Sequence, residues 1–226
     1  FVLMALVGPY LVRDPTAFIG KPHQPPTSGF WFGTTGQGQD VFAQTVVGAR
    51  MTLLLGLGVG VVTTILSAIV GISAGYFGGR IDDLLSLLTN VFLVIPGLPL
   101  AIVIAAYLPA GPETIALALV VTGWSFHARV LRGQALTLRN RDFIKAALIA
   151  GESHARIILV EILPNMLSLM VSGLIGTTFY AIGAQVGLEY LGLGDVSTVT
   201  WGTNLYWASN DQALLTQSWW TFLPTG

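Results

Sequence analysis

The chain has 226 residues, of which 53% are hydrophobic and only 9% are charged, and its formal net charge is −1. Soluble domains carry about 25% charged residues, so this composition, with a mean hydropathy of +0.73, predicts an integral membrane protein. The balanced charge and the lack of a basic run exclude a nucleic-acid-binding protein, and the absence of cysteine excludes disulfides and thiolate metal sites.

The first apolar run extends from Phe1 to Val12 and stops at Arg13. A signal-peptide core is one interpretation, but the outer end of a first membrane span fits the run better. Residues 13–50 follow, and their prolines predict an irregular segment between this span and the next.

Four further stretches without Asp, Glu, Lys or Arg are predicted to cross the membrane. They comprise residues 51–79, 84–112, 114–128 and 162–188, and the third is extended on one face by Leu131, Ala135 and Leu138. A helix rises about 1.5 Å per residue and the hydrocarbon core is about 30 Å thick, so roughly 20 apolar residues suffice. We therefore expect five spans, and the paired Trp219 and Trp220 suit an interface that introduces a sixth span beyond the C-terminal end.

The basic residues set the expected orientation. Successive spans cross the membrane in opposite directions, and this places two of the connecting segments on the same side of it. Most of the ten Lys and Arg residues lie in these two segments, namely Arg80, Arg129, Arg132, Arg139, Arg141, Lys145 and Arg156. The positive-inside rule assigns that side to the cytoplasm. The sequence therefore predicts a cytoplasmic loop at 139–164 and extracytoplasmic segments at 13–50 and 191–224.

Glycines recur four residues apart within the predicted spans. They are Gly56 and Gly60, then Gly71, Gly75 and Gly79, then Gly183 and Gly187. Such spacing lets helix backbones approach closely in lipid. We expect packing within one subunit, and a contact between subunits is the alternative for the stripe from Gly71 to Gly79.

A G-x-S-x-G pattern surrounds Ser73, as in the nucleophile elbow of serine hydrolases. That elbow needs a strand-to-helix turn, whereas Ser73 lies in an uncharged helical run. An intramembrane serine protease pairing Ser73 with His127 is thus a remote alternative to small-residue packing. The histidines lack metal-ligand spacing, and the chain has no phosphate-binding G-x-x-x-x-G-K-[ST] loop, so we expect no metal site and no nucleotide hydrolysis by that route.

The predicted cytoplasmic loop has a helical pattern of its own. Residues 141–147 read as a short amphipathic helix, Gly151 permits a turn, residues 156–161 resume a helix, and Leu163-Pro164 begins the next span. Loops that only join spans are usually shorter, so this pattern favours a docking element over a plain connector.

This loop resembles the one that marks permease subunits of binding-protein-dependent ABC importers, E-A-A-x3-G-x9-I-x-L-P. Ala146-Ala147, Gly151 and Leu163-Pro164 keep its spacing, while Lys145 replaces the Glu and Glu161 the Ile. Further blocks are similar to the peptide and nickel branch of the family, although Thr35 and Gln39 depart from its common Asp and Arg. The similar blocks are Gly33-Thr34 with Gly38, Asp40-Val41, Gly48-Ala49-Arg50, residues 74–79 with Asp82, residues 191–194, and Trp201-Gly202.

The resemblance implies an all-α, polytopic membrane protein in which residues 1–226 form one type I ABC importer transmembrane domain of six spans in the prokaryotic inner (plasma) membrane. Such a permease usually pairs with a second, different permease, docks two ATP-binding subunits and receives its substrate from an extracytoplasmic solute-binding protein. It has no ATPase site or cofactor of its own, because ATP and Mg²⁺ bind the partner ATPases. The residues implied in ATPase coupling are Asp142, Lys145, Ala146, Ala147, Gly151, Glu152 and Pro164.

The substrate class is less constrained, because the branch carries di- and oligopeptides, nickel chelates and, in some members, oligosaccharides. We expect small oligopeptides first. Trp, Tyr and Asn residues in 186–207 suit stacking on sugars and keep oligosaccharides as the alternative, although an interfacial aromatic belt explains them better.

Three polar residues in the spans are candidates for the translocation path: Asn90, Gln185 and Glu189. Polar groups at such depth normally face the bundle or a wet cavity, and Gln185 and Glu189 share one helix face. The alternatives are an interfacial position for Glu189 and a bond from Asn90 to a neighbouring helix. A secondary transporter is a further rival, but the chain lacks clear mid-span ionisable residues and paired helix breaks in two repeats.

Overall fold

The computed structural model describes residues 2–226, and within that range it contains helices and turns but no strand. Helix α1 is Val2–Val7, followed by a 3-10 turn at Gly8–Tyr10. The long helices are α2 (Val41–Phe77), α5 (Pro112–Arg139) and α8 (Leu163–Tyr190). Shorter elements complete the chain: α3 (Gly79–Val94), α4 (Gly97–Tyr107), α6 (Asp142–Ile149), α7 (His154–Arg156), a π-helical segment (Ile157–Ile162), α9 (Trp201–Asn210) and a 3-10 turn (Trp219–Thr221).

Three helical segments are long and apolar enough to cross a membrane: Val41–Phe77, Pro112–Arg139 and His154–Tyr190. The pair α3 and α4 supplies a fourth crossing if the two are counted together. The expected all-α membrane fold is thereby confirmed. The run expected to end a first span forms only the short helix α1 in the described residues, and Phe1 lies outside them.

The predicted span at 84–112 is broken rather than straight. Helices α3 and α4 meet at an angle of 84° across Ile95 and Pro96. A proline disfavours the helical conformation of the residue before it, and Ile95 is extended, with φ −74° and ψ 127°. The apolar stretch therefore contains a sharp bend, because Pro96 prevents a continuous helix even where every surrounding residue is uncharged.

Helix α2 begins ten residues earlier than the predicted second span. Asp40 lies just before it, and its Oδ1 accepts a hydrogen bond from the Phe42 backbone N–H at 3.0 Å, which satisfies one of the free donors at the helix start. Residues 41–50, predicted to be part of the segment 13–50, are thus helical. The helix ends at Phe77, before Gly78 and Gly79, whose φ angles of 67° and 53° favour glycine.

The contacts divide the chain into two compact units. The first comprises residues up to Leu57, Ile102–Ala116 and Ala181–Gly226. In it α9 is held against the first turns of α2, since the Trp201 indole donates to the Thr45 carbonyl at 3.0 Å and the Asn204 amide donates to the Gln44 carbonyl at 3.2 Å. The predicted outer segments also meet, because the Trp220 indole donates to the Thr34 carbonyl at 3.2 Å.

The second unit comprises Gly58–Ala101 and Leu117–Tyr180. Its buried apolar cluster joins α2, α5, α6 and the start of the last long helix, through Ile72, Tyr76, Leu131, Ala135, Leu138, Ile144, Ile157, Ile162 and Met166. Gly71 and Gly75 face α5 so closely that a Cβ on Gly75 would lie 2.6 Å from the Arg132 carbonyl oxygen. Packing within one subunit is therefore confirmed for Gly71 and Gly75.

Candidate functional site

Helix α6 forms the centre of the loop at 139–164, which we call the coupling loop after the role that the family resemblance implies for it. It ends in a Schellman motif, in which the Gly151 N–H donates to the Leu148 carbonyl at 3.1 Å and the Glu152 N–H to the Ala147 carbonyl at 3.1 Å. This motif needs a left-handed residue, and Gly151 has φ +82°. Its absent Cβ would meet nothing within 4 Å of the described chain, so Gly151 serves the backbone conformation of the turn that the sequence predicted.

The two faces of α6 differ in exposure. Ile144 is fully buried in the apolar cluster of the second unit, and Ala147 packs against the same cluster. On the remaining surface Phe143, Leu148 and Ile149 are exposed, and Ile149 is 89% exposed. The helix is thus anchored through Ile144 and leaves three large apolar side chains exposed around it. Apolar side chains exposed in this way are candidates for contact with a partner.

The charged residues of the coupling loop pair locally. Lys145 Nζ lies 3.5 Å from Asp142 Oδ1 at an exposed position, and Arg156 Nε lies 3.4 Å from Glu152 Oε2. An exposed pair such as that of Lys145 and Asp142 contributes only about 0–1 kcal/mol. Asp142, Lys145 and the exposed Ala146 therefore remain available to a partner, and their role in ATPase coupling stays a prediction.

The second half of the coupling loop differs from the expected pair of separate short helices. The helical segment His154–Tyr190 is continuous, so residues 156–161 belong to the last long helix. Pro164 has no N–H to donate to Val160, and the π-helical turns of Ile157–Ile162 lie directly before it. Pro164 thus lies near the start of a long helix rather than at the boundary of a new one.

A contact that sequence reasoning missed joins this helix to α2. The Tyr76 hydroxyl lies 2.8 Å from His154 Nδ1, and the rings of Phe77 and His154 meet edge-on at 5.9 Å. The two residues are far apart in sequence, and only the family-like block around Tyr76 hinted at a role for it. This contact holds the middle of the coupling loop against the end of α2, and Ile144 anchors its first half in the buried apolar cluster.

The predicted path residues Gln185 and Glu189 lie together in the first unit. Gln185 Nε2 donates to Glu189 Oε1 at 2.9 Å, and the Thr200 hydroxyl donates to Glu189 Oε2 at 2.5 Å. Both side chains are buried, and they line a cavity of about 390 Å³. Thr200 also begins α9 through a capping box with Thr203, so the carboxyl group of Glu189 supports the turn into α9.

Asn90 lies elsewhere, in the second unit. Its Oδ1 accepts a hydrogen bond from Arg129 Nη2 of α5, and its side chain is exposed. The structure therefore brings Gln185 and Glu189 together but not Asn90. Asn90 instead contacts a neighbouring helix, which is the alternative to a place in the translocation path.

The aromatic residues near the C-terminal end use their indole groups internally. The Trp201 indole donates to the Thr45 carbonyl, and the Trp207 indole donates to the Val196 carbonyl at 2.9 Å. Trp220 donates in the same way to Thr34. The N–H groups of these three indoles are therefore not free to bind a sugar hydroxyl group.

Ser73 lies inside α2 and not on a strand-to-helix turn. His127 Nδ1 lies 3.4 Å from the Thr177 hydroxyl rather than beside Ser73. The geometry of a nucleophile elbow is therefore missing from the described part of the chain. No group of three or more His, Cys, Asp or Glu side chains in residues 2–226 is arranged to hold a metal ion.

Comparisons with known proteins agree with the resemblance. Residues 67–216 match the family model of the binding-protein-dependent transport system inner membrane component. The chain is 33% identical to the oligopeptide transport system permease protein OppC of Bacillus subtilis, covering 100% of this chain and 74% of the relative. It is 34% identical to the dipeptide transport system permease protein DppC of the same organism, over 98% and 70% of the two chains.

A third relative is the oligopeptide transport system permease protein OppC of Mycobacterium tuberculosis, which is 36% identical over 76% of this chain and 60% of its own length. The match to the family model and the sequence identity with these permeases agree with the all-helical membrane fold. The chain belongs to the family of binding-protein-dependent transport system inner membrane components, which are multi-pass permease subunits with the transmembrane domain of type I ABC importers.

Proposed function

We propose that this chain forms half of the translocation path of an ATP-driven importer of small oligopeptides. The substrate class rests on one observation. Over almost its whole length, the chain is 33–34% identical to permeases named for oligopeptide and dipeptide transport. Its proposed partners are a second, different permease, two ATP-binding subunits and an extracytoplasmic solute-binding protein. Under this proposal ATP and Mg²⁺ bind the ATPases, and this chain performs no covalent chemistry.

The anchoring of α6 supports coupling by a rigid lever. Ile144 is fully buried in an apolar cluster to which α2 and α5 contribute, and the Tyr76 hydroxyl lies 2.8 Å from His154 Nδ1. A helix held at several points moves with the elements that it packs against, because packed cores deform little. In the proposed cycle the ATPases close on ATP, the exposed face of α6 follows them, and the ends of α2 and α5 move with it.

Uptake distinguishes the proposed substrate from its alternatives. A strain that lacks this chain is complemented with it, and uptake of a radiolabelled tripeptide, a maltotriose-type oligosaccharide and a nickel chelate is measured in parallel. We expect ATP-dependent uptake of the tripeptide alone. Uptake of the oligosaccharide without the tripeptide would refute peptide import and establish the alternative substrate.

Purification from the same strain tests the partners. We expect the tagged chain to bring down two ATP-binding subunits and one different permease. Isolation of the chain with no ATPase, from membranes that transport the tripeptide, would refute ATP-driven coupling and favour a secondary transporter.

A further inference from the structure

The cavity beside Gln185 and Glu189, which we call the acidic cavity, is lined by apolar side chains and by carboxyl groups. It lies within the first unit, between the early turns of α2, the start of α5 and the end of α8. Its apolar lining includes Met51, Leu54 and Ile115. Three carboxyl groups also line it, from Glu113, Glu189 and Asp195.

Positive charge is missing from this lining. None of the described residues that line the cavity is Lys, Arg or His. Glu113 is exposed and has neither a hydrogen-bond partner nor an ion-pair partner in residues 2–226. Hydrogen bonds from Ser197 and Thr198 hold the pKa of Asp195 below its usual range, so this carboxyl group is ionised at neutral pH.

A hydrogen-bond donor is missing as well. Gln185 is fully buried, and while its Nε2 donates to Glu189, its Oε1 accepts no hydrogen bond from the described residues. A buried acceptor without a donor costs free energy, so most buried polar groups in proteins are paired. The site thus lacks both a cation and a donor, and an ammonium group, which has three N–H donors and a positive charge, supplies both.

We propose that the acidic cavity binds a primary ammonium group joined to an apolar body. The ammonium group lies against Glu113, Glu189 and Gln185, and the apolar body lies against Met51 and Ile115. Two sources offer this chemistry: the free amino terminus of a short peptide and the headgroup of phosphatidylethanolamine. In its peptide form the proposal rests on the proposed function.

Thiol protection tests the site directly, because the chain has no cysteine. Ala116 lines the cavity and is half-buried, so Ala116→Cys places a unique thiol in its wall. The rate at which a methanethiosulfonate reagent labels this thiol is measured in membranes that hold the assembled importer, with n-hexylammonium, hexanoate or hexanol present. Leu214→Cys, at a position that is 77% exposed and outside the cavity, is the control.

We expect n-hexylammonium to slow labelling of Ala116→Cys, while hexanoate and hexanol do not, and labelling of Leu214→Cys to stay constant. Adding Glu113→Gln should raise the half-protecting concentration about fivefold, as one partly screened charge is removed. This substitution is at an exposed position and preserves volume, so the variant should fold. Equal protection by hexanoate or hexanol, or unchanged protection in Glu113→Gln, would overturn the proposal.

Two further measurements distinguish a peptide amino terminus from a phosphatidylethanolamine headgroup as the source of the ammonium group. Protection by a free tripeptide but not by its N-acetylated form identifies a solute, whereas protection in phosphatidylethanolamine vesicles but not in phosphatidylglycerol vesicles identifies a lipid headgroup. Tripeptide uptake is measured in the same vesicles. Uptake without protection by n-hexylammonium refutes the cavity site and leaves the proposed function standing, while protection without uptake refutes the proposed function alone.

Discussion

Gly151 shows how one backbone angle shapes the coupling loop. Its φ of +82° closes the Schellman motif after α6, and a β-branched side chain strains this conformation by about 1–3 kcal/mol. We therefore expect Gly151→Val to lower both ATPase co-purification and tripeptide uptake. Membrane insertion, measured by the amount of protein in the membrane fraction, should stay unchanged.

Gly151→Asn is the matched control, because asparagine tolerates left-handed backbone angles better than other side chains. It should retain most of the uptake that Gly151→Val loses. Full uptake and ATPase association in Gly151→Val would show that the turn after α6 does not depend on this angle.

Ile144 and Ile149 lie on the same helix but have opposite surroundings. Ile144 is fully buried, so Ile144→Ala leaves a cavity and should cost about 2–5 kcal/mol, measured as a lower melting temperature of the purified permease. Ile149 is 89% exposed, so Ile149→Ala should leave that temperature unchanged and weaken ATPase binding in a pull-down. A normal pull-down with Ile149→Ala would exclude this face of α6 as the docking surface.

At the scale of single residues, the sequence predicts local backbone structure but not which residues from distant parts of the chain come into contact. The small helix and the turn at Gly151 follow from local pattern, and both are present. The burial of Ile144 and the contact between Tyr76 and His154 depend on helices distant in the chain. One amphipathic pattern cannot tell which apolar side chains face the protein and which face a partner.

At the scale of elements, helix existence was more predictable than helix boundaries. Long uncharged stretches must be helical in lipid, because every backbone group needs a hydrogen bond there. The bend at Ile95 and Pro96 and the early start of α2 depend on single residues within or beside those stretches. Charge counting starts the second span after Arg50 although the helix continues through that residue, and it has no access to the bend, since proline does not change the charge.

The packing of α2 on α5 gives a prediction for these elements. A Cβ on Gly75 would lie 2.6 Å from the Arg132 carbonyl oxygen and 2.7 Å from the Ala135 Cβ, so the helices must separate to admit it. We expect Gly75→Ala to destabilise the permease by about 1–3 kcal/mol, read from the melting temperature of a fluorescent fusion in detergent.

Gly58→Ala is the control on the same helix, because nothing lies within 4 Å of its Cβ position. Alanine there should be neutral or stabilise by about 0.5–1 kcal/mol, since glycine is a poor helix residue. A Gly75→Ala variant as stable as Gly58→Ala would mean that α2 and α5 are not packed as closely as described.

For the whole molecule, the sidedness expected from charge stays a prediction, and contacts within each unit show which segments lie together. His23 Nδ1 lies 3.0 Å from the Ser218 hydroxyl and Trp220 donates to Thr34, so the segments 13–50 and 191–224 meet at one end of their unit. Within the other unit, the coupling loop meets the end of α2 through Tyr76 and His154. Segments in contact share one side of a membrane, so a label on one segment of a pair reports the side of both.

Labelling in intact cells decides the orientation. Leu214 is 77% exposed and Ala155 of α7 is also exposed, and single cysteines at these positions are unique in a chain without cysteine. Because most basic residues lie near the coupling loop, we expect a membrane-impermeant thiol reagent to label Leu214→Cys in intact cells and Ala155→Cys only after permeabilisation. The reverse pattern would place the coupling loop outside the cell, where it has no access to ATP, and would rule out its docking to an ATPase.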